Sequence, residues 1–284
     1  MSDVLSSALR GRPFRKMNGL GNDFVVIDLR DGAAAMDAGS ARAIADRATG
    51  IGCDQVITLE TRDGRPFMGV WNADGSEVGA CGNAARCIGW LLMEETGADE
   101  ARFATLSTPL LARRAEADQI TVDMGPPRLA WEDIPLRDPA EDTRFVDVKL
   151  GPIDAPVLWG PSAVSMGNPH CVFFVDDAEA QELEKFGPMI EHHPMFPEGA
   201  NVSVAEVKDR GTIRLRVWER GAGITKACGT AACAALVSAS RRGRTDREAD
   251  VVLDGGTLQV VWGEDDHVYM TGPVETEYEG VLGA

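Results

Sequence analysis

Ala80-Cys81-Gly82-Asn83-Ala84-Ala85 is echoed by Ala227-Cys228-Gly229-Thr230-Ala231-Ala232, 147 residues further along the chain. Trp71 stands ten residues before Cys81, and Trp218 stands ten before Cys228. Gly21-Asn22-Asp23-Phe24 opens one apolar run and Gly167-Asn168-Pro169-His170 opens another, 146 residues apart. Gln55-Val56 precedes Asn201-Val202 by the same step. Chance likeness between two Gly/Ala-rich helix starts would explain one such echo. Four in one order at one offset predict two copies of one fold.

Each copy reads as mixed α and β. A short β-branched run at 25–29 follows a Gly-Asn-Asp turn and predicts a strand, as do 56–59 and 67–71. Ser40 is read as the cap of a helix reaching to about residue 48, stopped by Gly50. Apolar residues at 84, 85, 88, 91 and 92 have helical spacing and predict a helix over 83–95, ended by Gly97. The run 231–237 is apolar without a break. Such helices are buried on every side, so each half should wrap sheet around a central helix and present only its N-terminus. The expected fold is α/β (α+β), with two pseudo-symmetric domains, each a curled mixed β-sheet wrapped around a central helix. The first fifteen residues read as a mobile lead-in, with order beginning near Phe14. Gly125-Pro126-Pro127 opens a Pro-rich zone reaching Pro161, read as a boundary. The domains are accordingly expected at 1–127 and 128–273.

Of the 284 residues, 45 are Asp or Glu and 28 are Lys or Arg, a formal net charge of −17. So acidic a chain is a poor match for a phosphate backbone or an anionic membrane surface, which argues against nucleic-acid and membrane partners. No run approaches membrane-spanning length, and 1–15 holds no signal-type apolar stretch. Six cysteines are too sparse for a disulfide scaffold. The expected home is a reducing cytoplasm with free thiols.

Cys81 and Cys228 each precede a helix. The dipole at such a position should lower a thiol's pKa, and the amides of Gly82-Asn83 and Gly229-Thr230 can grip an anion. Duplicated halves facing across a pseudo-two-fold axis would set Asn22 against Asn168, Gln55 against Asn201 and Cys81 against Cys228. Two thiols on one small carboxylate suggest proton removal from one face of a carbon and return on the other, inverting a stereocentre. Cys87 and Cys233 lie inside the apolar helices and read as small buried hydrophobes. No Cys or His spacing suggests structural zinc. A Cys228–His170 hydrolase dyad would leave Cys81 and the duplication without a role. None of the five lysines sits in a pyridoxal setting, and no Walker or dinucleotide loop is present, so no cofactor or metal is expected. His170 follows an Asn-Pro turn that can aim its ring inward. Glu219-Arg220 occupies the place that Asn72-Ala73 holds in the first half.

The chain resembles the diaminopimelate epimerase family. The likeness rests on Lys16-Met17-Asn18-Gly19-Leu20-Gly21-Asn22-Asp23-Phe24, Gly50-Ile51-Gly52-Cys53-Asp54-Gln55, Asn72-Ala73-Asp74-Gly75-Ser76-Glu77, and Cys81 through Cys87. In the second half it rests on Gly167-Asn168-Pro169-His170, Gly199-Ala200-Asn201, Trp218 through Gly223, and Ala227 through Thr230. The resemblance implies epimerisation of LL-2,6-diaminopimelate to meso-diaminopimelate without pyridoxal phosphate, in lysine and peptidoglycan precursor synthesis. It implies Cys81 and Cys228 as the acid/base thiols, with His170 and Glu219 tuning them. It implies Asn22, Gln55, Asn72, Gly82, Asn83, Asn168, Asn201, Glu219, Arg220, Gly229 and Thr230 as substrate-binding residues. It also implies a homodimer, and a final strand, 274–284, that returns to the first domain. The sequence departs from the family pattern at Asn18, Cys53, Ala84, Ile224, Lys226 and Ala231, none of them an implied ligand. Two other readings compete: a proline or hydroxyproline racemase using the same chemistry, and a non-enzymatic thiol protein serving redox sensing or anion binding.

Overall fold

In the computed structural model, residues 5–79, 81–116, 119–152, 154 and 156–283 are described. Ala80, which opens the first echoed motif, and the ends 1–4 and 284 lie outside the described residues. The chain divides into two compact units: Met1–Val122 with Gly272–Ala284, and Asp123–Thr271.

The first unit carries β1 (Pro13–Asn18), β2 (Asp23–Asp28), α1 (Ala38–Ala45), β3 (Gln55–Arg62), β4 (Arg65–Asn72), β5 (Glu77–Val78), α2 (Gly82–Thr96), β6 (Glu100–Phe103), β7 (Leu110–Arg114) and β8 (Gln119–Asp123). The second carries β9 (Lys149–Leu150), β10 (Leu158–Trp159), β11 (Ser162–Ser165), β12 (Pro169–Phe174), α3 (Leu183–Glu191), β13 (Asn201–Asp209), β14 (Thr212–Glu219), β15 (Gly223–Thr225), α4 (Gly229–Arg241), β16 (Glu248–Leu253), β17 (Gly256–Trp262) and β18 (Val268–Pro273). The last strand, β19 (Glu275–Val281), pairs with β1 in the first unit.

Strand pairing repeats with the sequence. β2 runs parallel to β3 with Phe24 opposite Gln55. β12 runs parallel to β13 with His170 opposite Asn201. Trp71 on β4 faces Val56 and Glu77 across antiparallel ladders. Trp218 on β14 faces Val202 and Ile224. Every partner shifts by the sequence offset, so the duplication is structural. Both units mix parallel and antiparallel pairs, as the expected α/β class requires. The first has the sheet β19-β1-β2-β3-β4-β5, with β8, β7 and β6 adjacent to one another; the second runs β11-β12-β13-β14-β16-β17-β18, with β15 beside β14.

The two central helices behave as their composition demands. α4 packs against β11, β12, β13, β14, β16 and β17, and its residues 231–239 are all buried. α2 packs on β6 and β7 and ends at Gly97, whose φ of 69° is left-handed and glycine-favoured. The expectation of a wholly apolar α2 is corrected at Arg86. This residue is fully buried, and its guanidinium donates to Asn83 Oδ1 at 3.1 Å and to the Pro273 carbonyl at 3.4 Å. Burial of a charge is tolerable only with such partners.

Three other expectations change. Ser40 lies inside α1; the cap is Asp37, whose carboxylate accepts the Ser40 amide at 2.9 Å. A carboxylate is a charged acceptor at the positive helix end, so it competes well against a hydroxyl. The zone from Gly125 to Pro161 belongs to the second unit, where Ile134, Leu136, Val146, Val148 and Leu158 join its core. Its prolines set turns, while its spaced aliphatic residues supply the burial. The described part of the lead-in packs: Leu5 and Leu9 sit in the first core beside Phe14, Met36 and Leu282. The Gly11 amide and Arg12 carbonyl also pair with Leu282. Two leucines one helical turn apart bury enough apolar surface to hold an otherwise polar segment. Leu9→Ala should therefore lower unfolding free energy by about 2–5 kcal/mol in urea titrations. A mobile segment would show no change.

Candidate active site

Cys81 and Cys228 occupy equivalent places. Each is the N-cap of its buried helix, in extended backbone (φ −141° and −130°), and neither side chain caps the helix. Gly82 and Gly229 therefore open the two helices, where backbone amides precede any intrahelical acceptor. What surrounds the thiols differs between the units.

In the first unit Asn22 stands at the turn before β2. Its Oδ1 accepts from the Cys81 thiol at 3.8 Å and from Asn83 Nδ2 at 3.3 Å. Its amide nitrogen donates to Asp54 at 2.8 Å. Asp54 also takes Arg47 at 2.6 Å, and Arg47 with Lys16 grips Asp23. Burial raises the Asp23 pKa, but hydrogen bonds from Arg47 and Lys16 outweigh it and hold the carboxyl well below the usual range. Gln55 and Asn72 meet across the β3–β4 ladder, Nε2 to Oδ1 at 2.9 Å, and Asn72 donates to Ser76 at 3.2 Å. The Gln55 side-chain oxygen, Oε1, is buried with no hydrogen-bond partner among the described residues. The first unit thus gathers Asn22, Cys81 and Asn83 in one cluster and Gln55 with Asn72 in another.

The second unit links its residues into a longer chain. The Cys228 thiol lies 3.5 Å from the Thr230 hydroxyl, which accepts from Asn168 Nδ2 at 3.5 Å. Asn168 Oδ1 is 2.9 Å from His170 Nε2. Because the Asn168 amide donates to Thr230, its oxygen faces the ring, so Nε2 carries the imidazole proton. His170 Nδ1 is buried and unpartnered among the described residues. Asn201 donates to the Pro169 carbonyl at 3.1 Å and accepts the Arg220 amide at 3.0 Å. The Arg220 guanidinium donates to the Glu198 carbonyl at 2.8 Å. Thr225 donates to Glu219.

Electrostatics revises one expectation. The dipole argument lowers a thiol's pKa, yet the Cys228 thiol is pushed well above its ordinary value. Burial is the largest cause, and the neighbouring Glu219 carboxylate adds to it, against a smaller lowering from Thr230. Removing a thiolate from water costs more than half a unit charge at a helix end returns. Cys228 rests as a thiol with the Glu219 carboxylate beside it. Burial also raises Cys53 and Cys87 to about 12. Burial, then the Arg220 charge, pushes His170 down to about 3, so its ring is neutral.

Sequence reasoning left Asp54, Thr225 and Arg86 out of the site, although Asp54 sits inside the Gly-Cys-Asp-Gln stretch. No periodicity marks a side chain whose role is to hold another.

The family model described as diaminopimelate epimerase matches residues 14–130 and 162–277. The chain belongs to the diaminopimelate epimerase family. It is 57% identical over 277 residues to a diaminopimelate epimerase of Phenylobacterium zucineum (strain HLK1), covering 97% of this chain and 99% of that one. It is 51% identical over 274 residues to one of Acidiphilium cryptum (strain JF-5), covering 96% and 97%. Among solved structures it is similar to a predicted epimerase from Pseudomonas aeruginosa, with TM-score 0.66, 19% identity and coverage of 96% and 99%. A hydroxyproline epimerase from Agrobacterium vitis gives TM-score 0.65 at 15% identity, with coverage of 96% and 92%. These two show the shared fold. Membership of the epimerase family places the chain among the isomerases.

The neutral His170 makes stability depend on pH. The unfolded ring, with its ordinary value of 6.5, binds a proton that the folded ring refuses until about pH 3. The unfolded state therefore gains protons first, and stability falls as pH drops below about 6.5. Between pH 7 and 5 the loss from this group is about 2 kcal/mol. Urea unfolding of His170→Gln should show a correspondingly smaller loss over that interval. Equal slopes in the two proteins would mean the folded ring takes up its proton like the unfolded one.

Proposed function

We propose that this protein epimerises LL-2,6-diaminopimelate to meso-diaminopimelate, with Cys81 and Cys228 as a thiol/thiolate pair. Each sulfur serves one face of the α-carbon: one removes the proton and the other returns it. The carbanion spreads charge onto the adjacent carboxylate, and the amides at Gly82-Asn83 and Gly229-Thr230 are the fixed donors offered to it. The observation that carries this reading is the pair of equivalent N-cap thiols in a member of the diaminopimelate epimerase family.

The asymmetry around the thiols supports particular roles. Glu219 beside Cys228 is the group through which that thiol exchanges its proton, and the neutral His170 communicates with it through Asn168 and Thr230. Asn22, held by Asp54, accepts from the Cys81 thiol. Gln55, Asn72, Asn168, Asn201 and Arg220 bind the rest of the substrate. Its distal amino-acid head brings a second carboxylate, for which a guanidinium is the natural partner. A cytoplasmic homodimer working on a small-molecule substrate in lysine and peptidoglycan precursor synthesis fits this chemistry. Among the described residues no helix is long and apolar enough to cross a membrane.

Polarimetry of LL- and meso-diaminopimelate with the pure protein, without pyridoxal phosphate, tests the reading. Cys81→Ala and Cys228→Ala should each lose epimerisation by several orders of magnitude. A single variant that still exchanges the α-proton of one isomer with heavy water would identify the face its remaining thiol serves. Near-normal turnover by either variant would exclude two-base inversion. Arg220→Met should lower kcat/KM about 30- to several-thousand-fold, the roughly 2–5 kcal/mol cost of stranding one partner of a buried charged contact. Proline should not be racemised, since it offers nothing to Arg220; its turnover would reassign the substrate.

A further inference from the structure

Glu191, the last residue of α3, is only 5% exposed, yet it carries a carboxylate into the interior of the second unit. One oxygen accepts the Trp218 indole N–H at 2.7 Å, and the other accepts the Gly221 amide at 2.9 Å. Those two donors flank Glu219-Arg220 on either side. The α3 backbone lies flat on the same indole: a Cβ at Gly187 would fall 2.5 Å from the Trp218 ring.

The first unit provides an internal control. Ala45, the last residue of α1, stands 146 residues before Glu191, the step that separates Gln55 from Asn201, so Ala45 is the equivalent of Glu191. Trp71 holds the strand place of Trp218, but its indole nitrogen is buried with no hydrogen-bond partner among the described residues. The hairpin therefore forms around its tryptophan without an acid. The acid is present in the copy whose hairpin ends in Glu219-Arg220, where the first copy has Asn72-Ala73. A buried carboxylate is costly to desolvate, and a pair of hydrogen bonds offsets that cost without requiring the charge for folding.

We infer that Glu191 is a positioning residue for the substrate-binding turn: by holding Trp218 and Gly221 it sets where the Arg220 guanidinium stands, and so governs recognition of the substrate's distal carboxylate. This inference rests on the proposed epimerase reading. Glu219 is held independently by β15, where it pairs with Gly223, and by Thr225. Arg220 lies beyond the end of β14, where Asn201 and the Glu198 carbonyl also hold it, and its turn is tied to Glu191 through the Gly221 amide. Loss of the clamp should therefore act mainly on substrate binding.

Glu191→Gln keeps the shape but offers one acceptor and one donor group to two N–H donors. Steady-state kinetics with diaminopimelate should show KM raised about 10- to 100-fold, with kcat changed far less, the effect of losing one charge-assisted hydrogen bond. In a double-mutant cycle, Glu191→Gln combined with Arg220→Met should be no worse in kcat/KM than Arg220→Met alone, because the clamp acts through Arg220. A merely structural role would give additive losses. If Glu191→Gln does not fold, Trp218→Phe decides: it replaces the indole by a smaller ring with no N–H to give Glu191, and should raise KM in the same direction. Unchanged KM in whichever variant is measured, or additive losses in the cycle, overturns the inference while the wild type remains an epimerase. A wild type inactive on both isomers overturns the proposed function and the inference with it.

Discussion

The structure depends on burying a helix on all sides. α2 and α4 are surrounded by their own units, and burial of such apolar cylinders is the main favourable term each half can collect. A helix buried this way still has amides at its N-terminus that need partners. In both copies the cap is a cysteine in extended backbone, whose side chain makes no N-cap hydrogen bond. Packing thus creates, at the end of each core helix, a thiol next to an anion-seeking turn. The position is a consequence of the fold, and the chemistry is a consequence of the position.

Duplication supplied the frame twice, and the two copies then diverged in how they hold polar groups. The first uses amides and hydroxyls: Asn22, Gln55, Asn72 and Ser76, steadied by the Asp23–Arg47–Asp54 ion pairs at its edge. The second uses charge: Glu219 beside Cys228, the exposed Arg220 on the Glu198 carbonyl, and the buried carboxylate of Glu191. Identical ladders tolerate both, because the register of β3–β4 and β13–β14 fixes only backbone position.

The thiols show why local rules need the surrounding protein. A helix dipole favours thiolate by an amount that falls off within a turn and is modest at a protein surface. Burial of Cys228 with a carboxylate neighbour reverses the sign. Desolvation and like charge act together there and outweigh the dipole and the smaller lowering by hydrogen bonds from Thr230 and the Ala231 amide. The same reasoning makes His170 neutral, since burial and the Arg220 charge both oppose its protonation.

Much of this was legible in the residues themselves. The echoes at one offset determined the duplication, the apolar runs determined the two buried helices, and the motifs around Asn22, Cys81, Asn168 and Cys228 determined the family. Each is a local signal, carried by spacing that survives without knowledge of the fold. The tertiary structure alone decided that Leu5 and Leu9 pack, that 125–161 belongs to a core, and that Arg86 is buried on Asn83. It alone placed Glu191 against Trp218 across 27 residues of chain. Local pattern records what a segment prefers. The partners of a buried charge, and hence its protonation state, are set by residues distant in sequence that packing brings within hydrogen-bonding reach.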